Sequence, residues 1–419
     1  MGLTSHWNRR GFLGTAAAMA TSLFAPRKIF SRVASSASSP AAVTGFGQTG
    51  NPYEELGVAP VINCEGTMTM LGGSILRPEL EAVMAMAGRH FVSIPELEVA
   101  AGKRISEMLK LPDGYSALVT SGAAAAIQSG LAGILTGDNE NLIRQIPDLT
   151  GMKSEVIIQK SHRNPFDHQL RNTGIKLIEI ESRDDLRQSV SDRTAMMHFS
   201  NFANASGQIK VDEWVRLAKQ YNIPCMNDAA ADTPPVSHLW DYADMGYDLI
   251  TFSGGKVMRG PQCAGLLIGR KDLVSYALLN NSPHEDTIGR SQKVGKEEII
   301  GMVKALELYL KEDHDALSRE WQSRLERVSR ELTKIPGVTT EFFTPDIANH
   351  VPHMQISWDS RVSLDPKSAS KMLRSSKPSI VIGEGEGKPG LLMCSFMLQP
   401  GEDKIVAERV SQLFREHAA

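Results

Sequence analysis

Apolar and polar positions along this chain repeat with two different periods, and the switches between them mark out its elements. Residues 80–87 and 97–109 carry apolar side chains at helical spacing, with Pro78 and Pro95 placed as N-terminal helix signals. A short apolar strand at 116–119 then runs into Thr120-Ser121-Gly122-Ala123, which opens a helix reaching to about 135. Beyond Gly151 strands and helices alternate: strand 155–159, helix 166–172, strand 176–180, strand 194–199, helix 212–221, strand 223–227 ending at Asp228, then strands 248–252 and 263–268. That rhythm predicts an α/β fold, a mostly parallel sheet covered by helices on both faces, with ligands beyond the carboxyl ends of its strands.

The last third follows a different rule. Residues 296–335 are long, polar-faced and helical, with a break expected near 312–314. Three strands (338–343, 353–358, 391–396) and a closing helix at 403–417 predict a small α+β C-terminal domain. The expected division is a leader at 1–37, a linker at 38–50, a large domain at 51–300 and a small domain at 301–419.

One stretch stands out within the pattern. The apolar run 248–252 stops at Ser253-Gly254-Gly255-Lys256, so a single lysine sits on a loop at a strand end. A P-loop is excluded, because that motif needs Gly where Ile250 stands and Ser or Thr where Val257 stands. Two other strand ends carry chemistry. Ser121-Gly122-Ala123 puts free backbone N–H groups of a helix N-terminus where they can bind a phosphate, and Asp228 closes a strand with a carboxylate. A lysine, a carboxylate and a phosphate cradle on one sheet are the groups that pyridoxal 5'-phosphate requires: a Schiff-base amine, a partner for the pyridine nitrogen and an anion site, to which the Ser253 hydroxyl adds.

Composition narrows the picture further. Hydrophobic residues make up 42% and charged residues 22%, ordinary globular values. Formal net charge is -3, and the first 37 residues hold Arg9, Arg10, Arg27, Lys28 and Arg32 with no acid, so the remainder carries -3 - 5 = -8. An acidic body without a lysine-rich run argues against a nucleic-acid partner. Cys64, Cys225, Cys263 and Cys394 lack zinc-site spacing, which leaves no candidate metal ligands, and they read as buried free thiols. The leader Arg9-Arg10-Gly11-Phe12-Leu13, followed by an alanine-rich apolar segment, has the form of a twin-arginine export signal. It predicts a periplasmic or otherwise exported protein with no membrane attachment after export.

The chain resembles the fold-type I pyridoxal phosphate enzymes, in particular the group containing selenocysteine synthase and D-glucosaminate-6-phosphate ammonia-lyase. The segments that carry the resemblance are Val119-Thr120-Ser121-Gly122-Ala123, Gln159-Lys160-Ser161-His162-Arg163-Asn164, Asn227-Asp228-Ala229-Ala230-Ala231, Ser253-Gly254-Gly255-Lys256 with Arg259-Gly260-Pro261-Gln262, and Gly289-Arg290-Ser291-Gln292. It implies that Lys256 is the Schiff-base residue, that Lys256 and His162 are the catalytic residues, that Asp228 meets the pyridine nitrogen, and that His162 stacks on the cofactor ring. It also implies that Arg163 or Arg290 binds an anionic substrate group, and that two or more subunits associate. The substrate it points to is a small amino acid or 2-amino sugar acid. Elimination, transamination and racemisation all begin with loss of the Cα proton. The strand at 391–395 has no arginine to grip a carboxylate, which favours a lyase over a standard aminotransferase. Selenium transfer to a charged tRNA fits poorly with an acidic, exported chain. A non-catalytic binding protein on the same fold is the alternative of another class.

Overall fold

A computed structural model of the chain describes residues 47, 50–385 and 389–418; the leader and most of the linker expected from sequence lie outside them. The chain divides into two units, Met1–Val58 and Ala59–Ala419. The described part of the first holds one short helix, Pro52–Glu55, whose Asn51 cap accepts from the Tyr53 N–H.

The second unit contains every strand, and its strands sort by burial. Among them β1 is Val61–Asn63, β2 Tyr115–Thr120, β3 Glu155–Gln159, β4 Lys176–Ile180, β5 Thr194–Ser200, β6 Cys225–Asp228, β7 Leu249–Ser253 and β8 Gly265–Arg270. Every residue of β3, β5 and β6 is buried, as expected for strands covered on both faces. Strands β2 to β8 form one seven-stranded sheet in the order β2-β8-β7-β6-β5-β3-β4. Only β8 runs antiparallel, between β2 and β7. The mostly parallel α/β architecture read from the sequence is therefore the observed one.

Close packing of the helices on this sheet depends on two glycines. A Cβ at Gly133, inside the helix Ala123–Thr136, would meet the backbone nitrogen of Ala277 at 2.6 Å, so this helix touches Lys271–Leu279 backbone to backbone. At Gly265 a Cβ would meet the carbonyl carbon of Gly122 at 2.6 Å, which lets the start of β8 lie directly under the opening of the helix.

The C-terminal part has its own core, built around Leu325, Val328, Met354, Ile356, Leu391 and Phe414. Its strands are β9 Val338–Phe343, β10 His353–Trp358, β11 Ser379–Val381, β12 Gly383–Glu384 and β13 Leu391–Cys394. Four of these form an antiparallel sheet in the order β12-β13-β10-β9. The helices His314–Leu332 and Glu402–Glu416 pack on each other beside it. The break expected near 312–314 is real, and Asp313 caps the second helix by accepting from the Ala316 N–H at 2.8 Å.

Three local expectations change. The stretch 166–172 is a 3-10 turn, Pro165–Asp167, followed by one helical turn, His168–Arg171, because Asn164 and Asp167 form a capping box that starts the structure afresh. Strand β1, too short to show a period, pairs in parallel with β11, and Ile62 and Cys64 join the C-terminal core. Cys64, Cys225 and Cys394 are buried free thiols, but Cys263 is exposed in the turn before β8.

Candidate active site

Strand register gathers the chemistry at one edge of the seven-stranded sheet. Thr120 and Ser253 both lie opposite Gly265, so Ser121-Gly122-Ala123 and the lysine loop leave the sheet side by side. Asp228 stands between Ser200 and Thr251 on the neighbouring strands.

The lysine loop is tied back on itself. The Gly254 N–H donates to the Ala264 carbonyl at 2.9 Å, Gly260 N–H to the Gly254 carbonyl at 2.8 Å and Arg259 N–H to the Lys256 carbonyl at 2.9 Å. A Cβ at Gly254 would strike Met302 Sδ at 2.3 Å, and one at Gly255 would lie 2.8 Å from Gln262 Cα. The glycine pair thus permits the loop to fold against its own return segment, and this closeness aims Lys256 inward.

Lys256 and Asp228 line one cavity of about 400 Å³, along with Asp232, Phe166, Phe202, Phe343, Asn349 and His353. Burial pushes the lysine amine toward its neutral form, opposed by the carboxylates of Asp228 and Asp232. Burial likewise raises the Asp228 pKa, while the lysine charge and the Ala230 N–H, 3.2 Å away, pull it down. Desolvation is the larger effect on both, so the amine gives up its proton more readily than an exposed lysine does, and an uncharged amine is the nucleophile a carbonyl needs.

The expected phosphate cradle lies at the start of the helix Ala123–Thr136. Gly122 caps the helix Ala123–Thr136 at φ 108°, and a Cβ placed there would meet no atom within 4 Å. Open space in front of a helix N-terminus, beside a buried lysine and carboxylate, fits a phosphorylated pyridine aldehyde. Ser121, Gly122, Ala123 and Ser253 are not on the wall of the lysine cavity itself.

Three residues are placed differently from expectation. His162 is fully buried and does not line the cavity. It ends the 3-10 turn Lys160–His162, which swings its ring inward, edge-on to Phe199 at 4.5 Å. Nδ1 accepts from the Ser200 N–H at 3.2 Å, and Nε2 lies 3.1 Å from the Gln159 side-chain nitrogen. Burial, with help from the Lys210 charge, lowers its pKa to about 4, so the ring is a neutral packing element. The Arg163 guanidinium is taken up by Asp167, at 2.5 Å, and by Glu179. That double pairing engages the guanidinium within the protein, and Arg163 does not line the cavity. Arg290 lies in the connection before the helix Lys296–Tyr309, makes no ion pair among the described residues and does not line the cavity.

Comparison with known proteins agrees with this geometry. The family model for aminotransferase class-V matches residues 99–354, which takes in the sheet, the cradle and the lysine loop. The chain belongs to that family. As a class-V member it is a pyridoxal phosphate-dependent enzyme, of a group that includes lyases and transferases. D-glucosaminate-6-phosphate ammonia lyase of Salmonella typhimurium (strain 14028s / SGSC 2262) is 27% identical over 388 residues, covering 88% of this chain and 100% of the relative. A solved structure of D-glucosaminate-6-phosphate ammonia-lyase superposes with a TM-score of 0.76 at 24% identity, covering 88% of this chain and 99% of the other. A Streptomyces protein named 5'-C-glycyluridine monooxygenase-decarboxylase is 25% identical, covering 87% of this chain and 92% of its own.

The class-V site also contains residues that sequence reasoning passed over. Asp232 is 1% exposed, accepts from Tyr242 Oη at 2.6 Å and from Asn201, and takes the Ala348 N–H at 2.9 Å. With the Asn349 N–H on the Ala231 carbonyl at 2.7 Å, it pins the loop 344–352 over the cavity. A second acid four residues after Asp228, among alanines, was the available signal. The loop gave none, since its partner lies over a hundred residues away in sequence.

Proposed function

We propose that this protein is a pyridoxal phosphate-dependent lyase acting on an amino acid or 2-amino sugar acid with a leaving group at C3. The products are a 2-oxo acid and ammonia. The reading rests above all on Lys256, held toward its neutral form beside Asp228 in a cavity at the carboxyl edge of the sheet.

The cofactor, when bound, supplies an electron sink that makes the substrate's Cα–H acidic. In this reading Lys256 would hold it through Nζ, Asp228 would be the carboxylate partner of its ring nitrogen, and the N–H groups at Gly122 and Ala123 would receive its phosphate. Lys256 Nζ would also take the Cα proton, a task suited to an amine whose pKa burial has lowered. Phe166, Phe202 and Phe343 give the cavity an apolar side for the body of the substrate. Similarity to an ammonia lyase over nearly the whole chain supports elimination over transamination.

The same proposal includes twin-arginine export, on the evidence of Arg9-Arg10-Gly11-Phe12-Leu13, and self-association through a surface that exposes Met70, Phe91, Val92 and Val99. Cell fractionation with an Arg9→Lys/Arg10→Lys variant tests the first, and sedimentation tests the second.

The decisive experiment is an absorption spectrum before and after borohydride, followed by a screen of β-hydroxylated amino acids and 2-amino sugar acids. A visible band in wild type that borohydride removes with permanent labelling of Lys256, together with ammonia release, supports the reading. A band without 2-oxo acid or ammonia from any such substrate overturns the lyase assignment.

A further inference from the structure

A second cavity, of about 300 Å³, shares no lining residue with the first but takes Val257 and Arg259 from the same lysine loop. Three guanidinium groups, Arg77, Arg259 and Arg324, line it against a single carboxylate, Glu312, so its side chains carry 3 - 1 = +2. The protein's own acceptors do not use up these donors. Arg77 places both terminal nitrogens on Glu312, and its Nε is buried without a partner among the described residues. Arg259, at φ 55°, donates only to backbone carbonyls, Ile75 at 2.9 Å and Leu76 at 3.5 Å. Arg324 uses Nε on Glu320 at 3.0 Å and Nη1 on the Leu398 carbonyl at 2.5 Å and the Ser395 carbonyl at 3.4 Å.

Burial and the nearby Arg77 charge lower the Arg259 pKa, as expected where cations are gathered faster than they are neutralised. Apart from Gln399, the rest of the wall is apolar. Trp321 and Phe396 meet edge-on with ring centres 5.9 Å apart, and Leu317 lies beside them.

We propose that this cavity is an anion site for a small carboxylate with an apolar body, separate from the cavity of Lys256. A forked guanidinium matches the two oxygens of a carboxylate, and the aromatic wall receives the body that a bare inorganic anion lacks. Its occupant sits against the turn that carries the lysine.

The test uses cofactor-loaded protein titrated with phenylacetate, acetate and sulfate, read by calorimetry and by tryptophan fluorescence. The expected result is one saturable site per chain, with phenylacetate binding about tenfold more tightly than acetate. Arg324→Gln should weaken phenylacetate about tenfold, and Trp321→Phe should remove the fluorescence response. Glu312→Gln, which takes away the competing carboxylate, should tighten binding several-fold and guards against a misfolded Arg324→Gln. The visible band should remain, which places the ligand outside the cofactor site; protein without any band still serves for the same titrations. No saturable binding, equal affinity in Arg324→Gln, no gain in Glu312→Gln, displacement of the cofactor, or binding seen only after a dimer is diluted into monomers would each overturn the proposal.

Discussion

The two sheets of this protein use the same backbone chemistry for different ends. In the seven-stranded sheet β3, β5 and β6 are buried at every position, whereas β9 of the C-terminal sheet is buried only at Val338. A parallel arrangement sends the carboxyl ends of its strands to one edge, where Gly122, Asp228 and Lys256 emerge together. An antiparallel sheet alternates its ends and gathers no such edge. The C-terminal sheet instead contributes walls to the cavity: Phe343, His353 and Leu392, and the loop pinned by Asp232. The lysine and the carboxylates come from one region, and the cavity wall from both.

That division is broken most severely at Lys256. If the proposed roles of Lys256 as anchor and base hold, Lys256→Ala should reduce ammonia release by about 10⁴-fold or more with little change in thermal stability. Equal loss from a C-terminal wall residue, measured in the same assay, would erase the distinction.

Asp228→Asn should cost a smaller factor, about 10²–10³ in kcat, by weakening charge stabilisation at the site. Steady-state kinetics with saturating cofactor separate this from loss of cofactor binding.

A stability contrast follows from His162, whose pKa is about 4 in the fold against an ordinary 6.5. A base with a lowered folded pKa is stabilising above its unfolded pKa, and this contribution disappears as pH falls from 6.5 toward 4, by about 3 kcal/mol. Urea melts at pH 7 and pH 4.5 should show it, and His162→Gln should flatten the dependence. Buried His198, shifted down to about 3, acts in the same direction, while Glu98, raised by burial to about 8, acts against both.

The smallest effect is expected at the join between the regions. Asp232→Ala leaves the Ala348 N–H unpaired and takes one acceptor from the Tyr242 hydroxyl, which keeps Asn201, a loss of about 1–3 kcal/mol. If the loop only shapes the cavity, KM should rise while kcat stays within a few-fold.

Much of the large sheet was legible because its strands are continuous apolar runs separated by helical periods, and β3 and β4 match their sequence boundaries residue for residue. Lys256 and Asp228 were legible for a related reason. Each follows such a run directly, so finding the strand finds the residue. His162, Arg163 and Arg290 were not. Their side chains leave irregular backbone, and the direction they take depends on partners that pattern does not reveal: Phe199 and Ser200 for the first, Asp167 and Glu179 for the second.

Sequence alone determined the fold class and the order of Gly122, Asp228 and Lys256 at the strand ends, because period and strand-end residues are local properties; the family came from the resemblance of whole motifs. Tertiary structure decided which of those groups share a cavity, that β1 is built into the C-terminal core, and that Asp232 ties a distant loop over the lysine. It also brought three arginines from three separate segments around one small space. Those outcomes depend on burial and on contacts between segments far apart in the chain, and a linear pattern carries neither.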